Sequence, residues 1–140
     1  MPPSVAVICD AADPEGARVA GLLGAPVVPL QAPGGAARVE VVLVLARLDE
    51  LWPVILRLAG WRSPAVVWAP EGEPPGMALP WWTRPVARIL LRNQPVARRW
   101  GAHVPLGRLV VVEPGEPAAE SAALRVVLKE VASMGRRGRA

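Results

Sequence analysis

Short apolar runs separated by helix-forming segments constrain this chain more than any other feature. The runs contain almost no regularly spaced polar residues, which is typical of strands buried on both faces of a parallel sheet. Strands are predicted at 5–9, 26–30, 39–46, 64–69, 86–92 and 109–112, with the proline-containing strand at 26–30 at an edge of the sheet. Helices are predicted at 14–23, capped by Asp13 and ended by Gly24, from a cap at Asp49 through 51–60, at 95–100 and at 117–134. This alternation requires crossover connections and predicts a mostly parallel sheet with helices on both faces.

The length of the chain predicts one domain. It has 140 residues, 52% of them hydrophobic, and a mean hydropathy of +0.31, which together exclude a disordered chain. We expect a single-domain, three-layer α/β/α fold, Rossmann-like or flavodoxin-like, with about five to six strands. It should span 1–135, with Gly135 ending the last helix and 136–140 forming a basic, flexible tail. The buried stripe predicted for that helix is Ala118, Ala122, Val126, Val127 and Val131.

Two residue counts exclude several kinds of site. Cys9 is the only cysteine and His103 the only histidine, so an intrachain disulfide and a thiolate zinc cluster are impossible. We predict that Cys9 is a small buried hydrophobe, that His103 has a surface or capping role, and that there is no metal site. No glycine-rich phosphate-binding motif follows a strand, so the sequence identifies no cofactor.

The N-terminal residues and the apolar runs indicate where in the cell the protein is located. No Lys or Arg precedes the first apolar run, and every run is far shorter than the roughly 20 residues that cross a bilayer. We therefore expect a cytoplasmic protein without a membrane span. Its 17 prolines and few Asn, Gln, Met and Cys residues are typical of a thermophile.

Charge is segregated along the chain. No acidic residue occurs from 74 to 112, a segment that contains Arg84, Arg88, Arg92, Arg98, Arg99 and Arg108. Arginines neutralise phosphates and tryptophans stack on bases, so binding of nucleic acid through residues 84–108 is one alternative. Arg88 and Arg92 are four residues apart in a predicted strand, which places both on one face.

Polar residues follow most of the predicted strands. In open parallel sheets, ligands bind beyond the carboxyl ends of the strands, near the point where the strand order reverses. This rule selects Asp10, Asp13, Glu71, Glu73, Arg92, Asn93 and Glu113 as candidate ligand-binding residues. Both signs of charge would meet at one edge, which suits a phosphorylated or sugar-bearing ligand. Helix capping and solvation are the alternative roles for each residue.

Residues 39–116 resemble the N-terminal, Rossmann-like half of a GT-B-type glycosyltransferase. The segments that carry the resemblance are VEVVLVLARLDELWPVILRLAG, SPAVVWAPEGEPPG and ARILLRNQPVARRWGAHVPLGRLVVVEPG. The acidic loop at 10–16 departs from the glycine-rich turn that this family favours. We also expect the second Rossmann-like domain, which holds the nucleotide-sugar in the family, to be absent from this chain.

The resemblance implies a domain that binds a small phosphorylated or sugar ligand, or a partner chain, without catalysing transfer alone. Glu71, Glu73 and the loop to Met77 would then face the acceptor. Arg92, Asn93 and Glu113 would line the cleft. The partner would be a chain supplying the second domain, or another copy of this chain.

A degenerate receiver-like module is the competing interpretation. Asp10 and Asp13 resemble the acidic pocket of phosphoacceptor receiver domains, but Arg47 and Arg92 stand where a receiver has its aspartate and its lysine. Such a module would act through protein contacts, with Trp81 and Trp82 as interface candidates. Six parallel strands and an open cleft would favour the glycosyltransferase-like interpretation. Five strands and a buried acidic pocket at Asp10 would favour the receiver-like one.

Overall fold

The strands and helices alternate as the apolar pattern predicts. The computed structural model describes residues 2–36, 38–59, 64–71, 74 and 79–139. The strands are β1 (Val5–Cys9), β2 (Val27–Pro29), β3 (Val41–Ala46), β4 (Ala65–Pro70), β5 (Val86–Leu91) and β6 (Leu109–Val111). The helices are α1 (Pro14–Leu23), α2 (Leu48–Ala59), α3 (Gln94–Gly101) and α4 (Pro117–Arg139), and short 3-10 turns lie at Pro33–Ala36, Trp81–Thr83 and Leu106–Arg108.

The six strands form one sheet in the order β2-β1-β3-β4-β5-β6, and every neighbouring pair is parallel. The order reverses between β1 and β3, so the carboxyl ends of these two strands flank the topological switch point. The proline-containing β2 lies at an edge, as predicted, because proline cannot donate to a ladder on both sides.

Two apolar cores fill the space on either side of the sheet. One packs α1 and α4 against residues such as Val7, Leu43 and Leu90. The other packs α2 and α3 against residues such as Ile8, Val44 and Trp68. The expected three-layer α/β/α arrangement is therefore confirmed. Among the described residues, no helix combines the length and the apolarity that crossing a bilayer requires.

Helix α1 begins and ends at predicted residues. The Asp13 side chain accepts a hydrogen bond from the Glu15 N–H, and Gly24 ends the helix with a φ of 62°. The absence of a side chain at Gly16 lets the first turn of α1 approach β1, because a Cβ there would lie 2.2 Å from Cys9 Sγ. Cys9 is fully buried, as predicted. Burial and the nearby Asp13 raise the pKa of its thiol, so it stays protonated.

Three local predictions were wrong. Helix α4 continues past Gly135 to Arg139, because glycine ends a helix only when it leaves the helical φ region, and Gly24 is the only described residue with a positive φ. Asp49 lies inside the first turn of α2 and does not precede it. The cap comes instead from Glu50, whose side chain accepts from the Arg47 N–H.

The third error concerns the stripe that α4 buries. Ala118, Ala122 and Val126 are exposed, and Val126 keeps 67% of its surface accessible. Leu124 and Leu128 are buried in their place, together with the correctly predicted Val127 and Val131. The helix turns its larger side chains inward because burying leucine removes more apolar area from water than burying alanine does.

Candidate functional site

A cleft opens at the carboxyl edge of the sheet, on the side covered by α1 and α4. Its volume is about 350 Å³. Leu43, Leu45 and Leu90 contribute an apolar wall, and polar side chains reach it from the ends of the strands and from α1. These polar side chains are Asp13, Glu15, Glu71 and Arg92. A ligand in the cleft would therefore meet carboxylate acceptors and one guanidinium beside an apolar surface.

A second hollow of about 340 Å³ adjoins the cleft above the switch point. We call it the acidic hollow, because the described charged residues that line it are Asp10, Asp13, Glu50 and Glu71, with Arg47 as the one cation among them. Arg47 is already engaged, since its Nε lies 3.2 Å from Asp49 Oδ1. Burial and the neighbouring Asp13 and Glu50 carboxylates raise the pKa of Glu71. The cleft and the acidic hollow share Asp13, Leu45 and Glu71, so an acidic surface borders the apolar wall.

An ion network joins α1, the end of β5 and α4 beside the cleft. Its centre is Glu120, whose side chain is 0% exposed and lies 2.5 Å from Arg92 and 2.9 Å from Arg18. Glu15 contacts the same two arginines, at 3.3 and 2.6 Å. The two carboxylates therefore balance the two guanidinium groups.

The electrostatics of the network follow from these contacts. Hydrogen bonds from Arg18, together with those from Arg92, lower the pKa of Glu120 to about 2 despite its burial. The hydrogen bond from Arg18 also lowers the pKa of Glu15. Both acids are consequently ionised at neutral pH. Arg92 turns toward them, so an added phosphate would have to compete with two carboxylates for its guanidinium.

The structure brings only some of the predicted ligand-binding residues together. Asp13, Glu71 and Arg92 line the cleft, and Asp10 lies in the acidic hollow. Asn93 caps α3, because its Oδ1 accepts from the Val96 N–H, and it lines neither hollow. Glu113 is exposed and also lines neither. Glu73 lies outside the described residues.

The interface candidates lie at the opposite, amino edge, since Trp81–Thr83 directly precedes β5. Trp81 is 72% exposed, whereas Trp82 is half-buried. Both rings contact Trp52 of α2, with centroid distances of 6.4 and 5.1 Å. Leu56, one turn further along α2, is 53% exposed. We call Trp52, Trp81 and Leu56 the aromatic patch.

Sequence reasoning missed Glu15, Arg18 and Glu120, although one signal for Glu120 was present. It precedes the buried Leu124 by four residues and therefore occupies the apolar stripe of α4. A carboxylate on such a stripe requires a cationic partner, and Arg92 is one of the two that it finds. Arg88 and Arg92 do share a face, as predicted, because both contact glutamates of α4.

Within the described ranges, no three His, Cys, Asp or Glu side chains are arranged to hold a metal ion. Protein-family models, curated proteins and solved structures provide no match to this chain. The resemblance to a GT-B-type glycosyltransferase domain therefore stays a prediction.

Proposed function

We propose that the carboxyl-edge cleft binds a sugar-bearing small ligand, and that the isolated chain binds it without catalysing a transfer. The observation that carries this proposal is the meeting of Asp13 and Glu71 with the apolar wall of the cleft. Carboxylates accept hydrogen bonds from sugar hydroxyls, as they do from ribose in dinucleotide-binding folds, and the apolar face of a sugar ring packs on aliphatic side chains.

The charge distribution favours a sugar over a phosphate in this cleft. The acidic hollow repels anions, and the guanidinium of Arg92 already contacts Glu15 and Glu120. The phosphate of a sugar nucleotide would therefore project away from the acidic hollow. We assign binding alone to these residues and leave any transfer step to a partner chain that completes the site.

A matched pair of variants tests the proposal by isothermal titration calorimetry. Glu71→Gln removes a carboxylate from the cleft, whereas Glu113→Gln removes the same charge from an exposed position outside it. The probes are ribose, glucose, uridine diphosphate and UDP-glucose. Each of the four probes contains a sugar, so we expect all of them to bind. We expect Glu71→Gln, but not Glu113→Gln, to weaken their binding about tenfold, since a hydrogen bond to a charged group contributes about 1.5–3 kcal/mol. Binding of no probe, or equal weakening by both variants, would contradict the proposal.

The receiver-like alternative has less support. The sheet has six parallel strands, and Asp10 is exposed at the rim of an open hollow. A receiver-like module would instead have five strands and a buried acidic pocket at Asp10. Both features therefore favour the glycosyltransferase-like interpretation.

Self-association through the aromatic patch is a second candidate function, favoured by the exposure of Trp81 and Leu56. Exposed aromatic and aliphatic side chains that adjoin one another are typical of protein interfaces. Sedimentation velocity should then detect a dimer that Leu56→Ser dissociates and that Val126→Ser, on the exposed face of α4, leaves intact. A monomer at every concentration would exclude a homodimer through the aromatic patch.

A further inference from the structure

A basic pocket of about 290 Å³ lies at the amino edge, beside the ends of the acid-free segment. Arg84 follows the Trp81–Thr83 turn, His103 follows α3, and Arg108 ends the Leu106–Arg108 turn. These residues line the pocket together with Trp81 and several apolar side chains. No acidic residue of the described part of the chain lines it. We call this hollow the amino-edge pocket, and it is separate from the cleft.

Arg108 is held in place but not neutralised. Its Nη2 donates to the carbonyl oxygens of Thr83 and Val86, at 3.0 and 2.7 Å. Its Nε and Nη1 have no hydrogen-bond partner among the described residues, and no described carboxylate lies within 4.0 Å of Arg108 or Arg84. Burial and the neighbouring Arg88 lower the pKa of Arg108, because a half-buried cation without a counter-ion is destabilised. A bound anion would remove this penalty.

The pocket also offers an aromatic surface. Trp81 lines it while keeping 72% of its surface exposed. A guanidinium offers the planar set of donors that phosphate oxygens accept, and an exposed indole stacks on a planar ring. The volume of the pocket lies just below the range of about 300–1,000 Å³ that is usual for ligand sites, so it suits only a small ligand.

We propose that the amino-edge pocket binds the phosphate of a nucleoside monophosphate, with Arg84 and Arg108 contacting the phosphate and Trp81 contacting the base. This proposal depends on Arg84, Arg108 and Trp81 and not on the cleft. It and the proposal of sugar binding in the cleft can therefore fail independently. Adenosine monophosphate, ribose 5-phosphate and inorganic phosphate separate the contribution of the base from that of the phosphate.

Calorimetric titration of these three probes into the full chain tests the pocket. All three should bind, and adenosine monophosphate should bind about tenfold more tightly than ribose 5-phosphate because of the stacked base. Arg84→Ala should weaken all three about tenfold, since it removes a charge-assisted contact without breaking any hydrogen bond between described residues. Trp81→Ala should abolish the preference for adenosine monophosphate and leave inorganic phosphate unchanged.

Arg98→Ala is the matched control, because Arg98 is an exposed arginine of the same acid-free segment that does not line the pocket. It should leave all three affinities unchanged. If Arg84→Ala and Arg98→Ala weakened probe binding equally, binding would depend only on the net charge of the chain, and the proposal would be overturned. So would the absence of binding by adenosine monophosphate at millimolar concentration.

A single-stranded oligonucleotide distinguishes a small ligand from nucleic acid. If the pocket recognises a nucleoside monophosphate, the oligonucleotide should bind no more tightly than adenosine monophosphate, and its binding should be insensitive to Arg98→Ala. Much tighter binding that Arg98→Ala also weakens would assign the whole acid-free segment to a nucleic-acid surface and would overturn the pocket as a site for a small ligand.

Discussion

The two edges of the sheet differ in how their arginines are neutralised. At the carboxyl edge, Arg18 and Arg92 each contact two glutamates, and acidic groups remain in surplus around Glu71. At the amino-edge pocket, Arg84 and Arg108 have no carboxylate within 4.0 Å among the described residues. Arg84, Arg92 and Arg108 all come from the acid-free sequence between 74 and 112, so the difference comes from the helices beside them. Helices α1 and α4 bring Glu15 and Glu120 to Arg92, whereas no glutamate of the described chain reaches Arg84 or Arg108.

This contrast shows that an arginine beside a pocket need not indicate an anion site. Arg92 was predicted as a ligand-binding residue because it follows a strand at the carboxyl edge. Its contacts with Glu15 and Glu120 make it part of a neutral network, with 27% of its side chain still exposed. Arg84 and Arg108 lie at the opposite edge and are not selected by the rule that ligands bind beyond the carboxyl ends of the strands. These are the two pocket arginines that have no carboxylate within 4.0 Å in the part of the chain that the structure describes.

The largest expected effect comes from removing the centre of the ion network. Glu120→Gln should lower the free energy of unfolding by about 3 kcal/mol at pH 7, because it leaves Arg18 and Arg92 without their shared carboxylate. Urea denaturation measures this change. Asp49→Asn, which breaks an ion pair with both side chains more than half exposed, should change the free energy of unfolding far less, because solvent screens the pair.

The pH dependence of the same variant tests the cause of the effect. The pKa of Glu120 is about 2 in the folded chain and near the ordinary glutamate value of 4.5 when the chain is unfolded. The stability that it contributes is therefore present above pH 4.5 and is lost as the pH falls toward 2. The difference in the free energy of unfolding between the wild type and Glu120→Gln should therefore become smaller as the pH falls from 4.5 toward 2. A difference that stays constant with pH would show that the network is not what stabilises the carboxyl edge.

A smaller effect should follow from disturbing the approach of α1 to β1, which positions the Asp13 and Glu15 side chains. Gly16→Ala places a Cβ 2.2 Å from Cys9 Sγ, so the helix must shift and the free energy of unfolding should fall by about 2 kcal/mol. Gly21→Ala in the same helix meets nothing within 4 Å and should raise stability by about 0.5–1 kcal/mol.

The double variant Cys9→Ala, Gly16→Ala identifies the contact responsible. Removing Sγ leaves the Cβ of residue 9 at 2.8 Å, so stability should recover only in part. If Gly16→Ala were as well tolerated as Gly21→Ala, the close approach would not constrain the carboxyl edge.

The fold was predictable from sequence because its determinants are local. Apolar runs such as the one at 41–46 and caps such as Asp13 each specify an element from a few neighbouring residues. The helix pattern also constrains the sheet, since crossovers require parallel strands. The stripe of α4 was not predictable in the same way, because two registers of apolar residues compete and only packing against the sheet selects Leu124 over Val126.

The candidate site was only partly predictable, since it depends on pairs that are distant in sequence. The carboxyl-edge rule selects Asp13, Glu71 and Arg92 as residues at strand ends. It does not reveal that Arg92 pairs with Glu120, 28 positions later, or that Asn93 is a cap. The amino-edge pocket was not predictable from any strand end, although the acid-free segment did indicate unneutralised arginines.

The smallest expected effect comes from Glu71, one of the surplus carboxylates at the carboxyl edge. Its replacement should raise the free energy of unfolding, whereas replacement of Glu120 should lower it. Burial and the neighbouring carboxylates raise the pKa of Glu71 in the folded chain. Its ionised form therefore destabilises the folded state at neutral pH, and this penalty disappears at acidic pH below the unfolded pKa. Glu71→Gln should raise the free energy of unfolding at pH 7, by less than about 0.5 kcal/mol because solvent screens an exposed group. Glu113→Gln should leave it unchanged, and a loss of stability in Glu71→Gln would mean that the carboxylates of the acidic hollow do not repel one another.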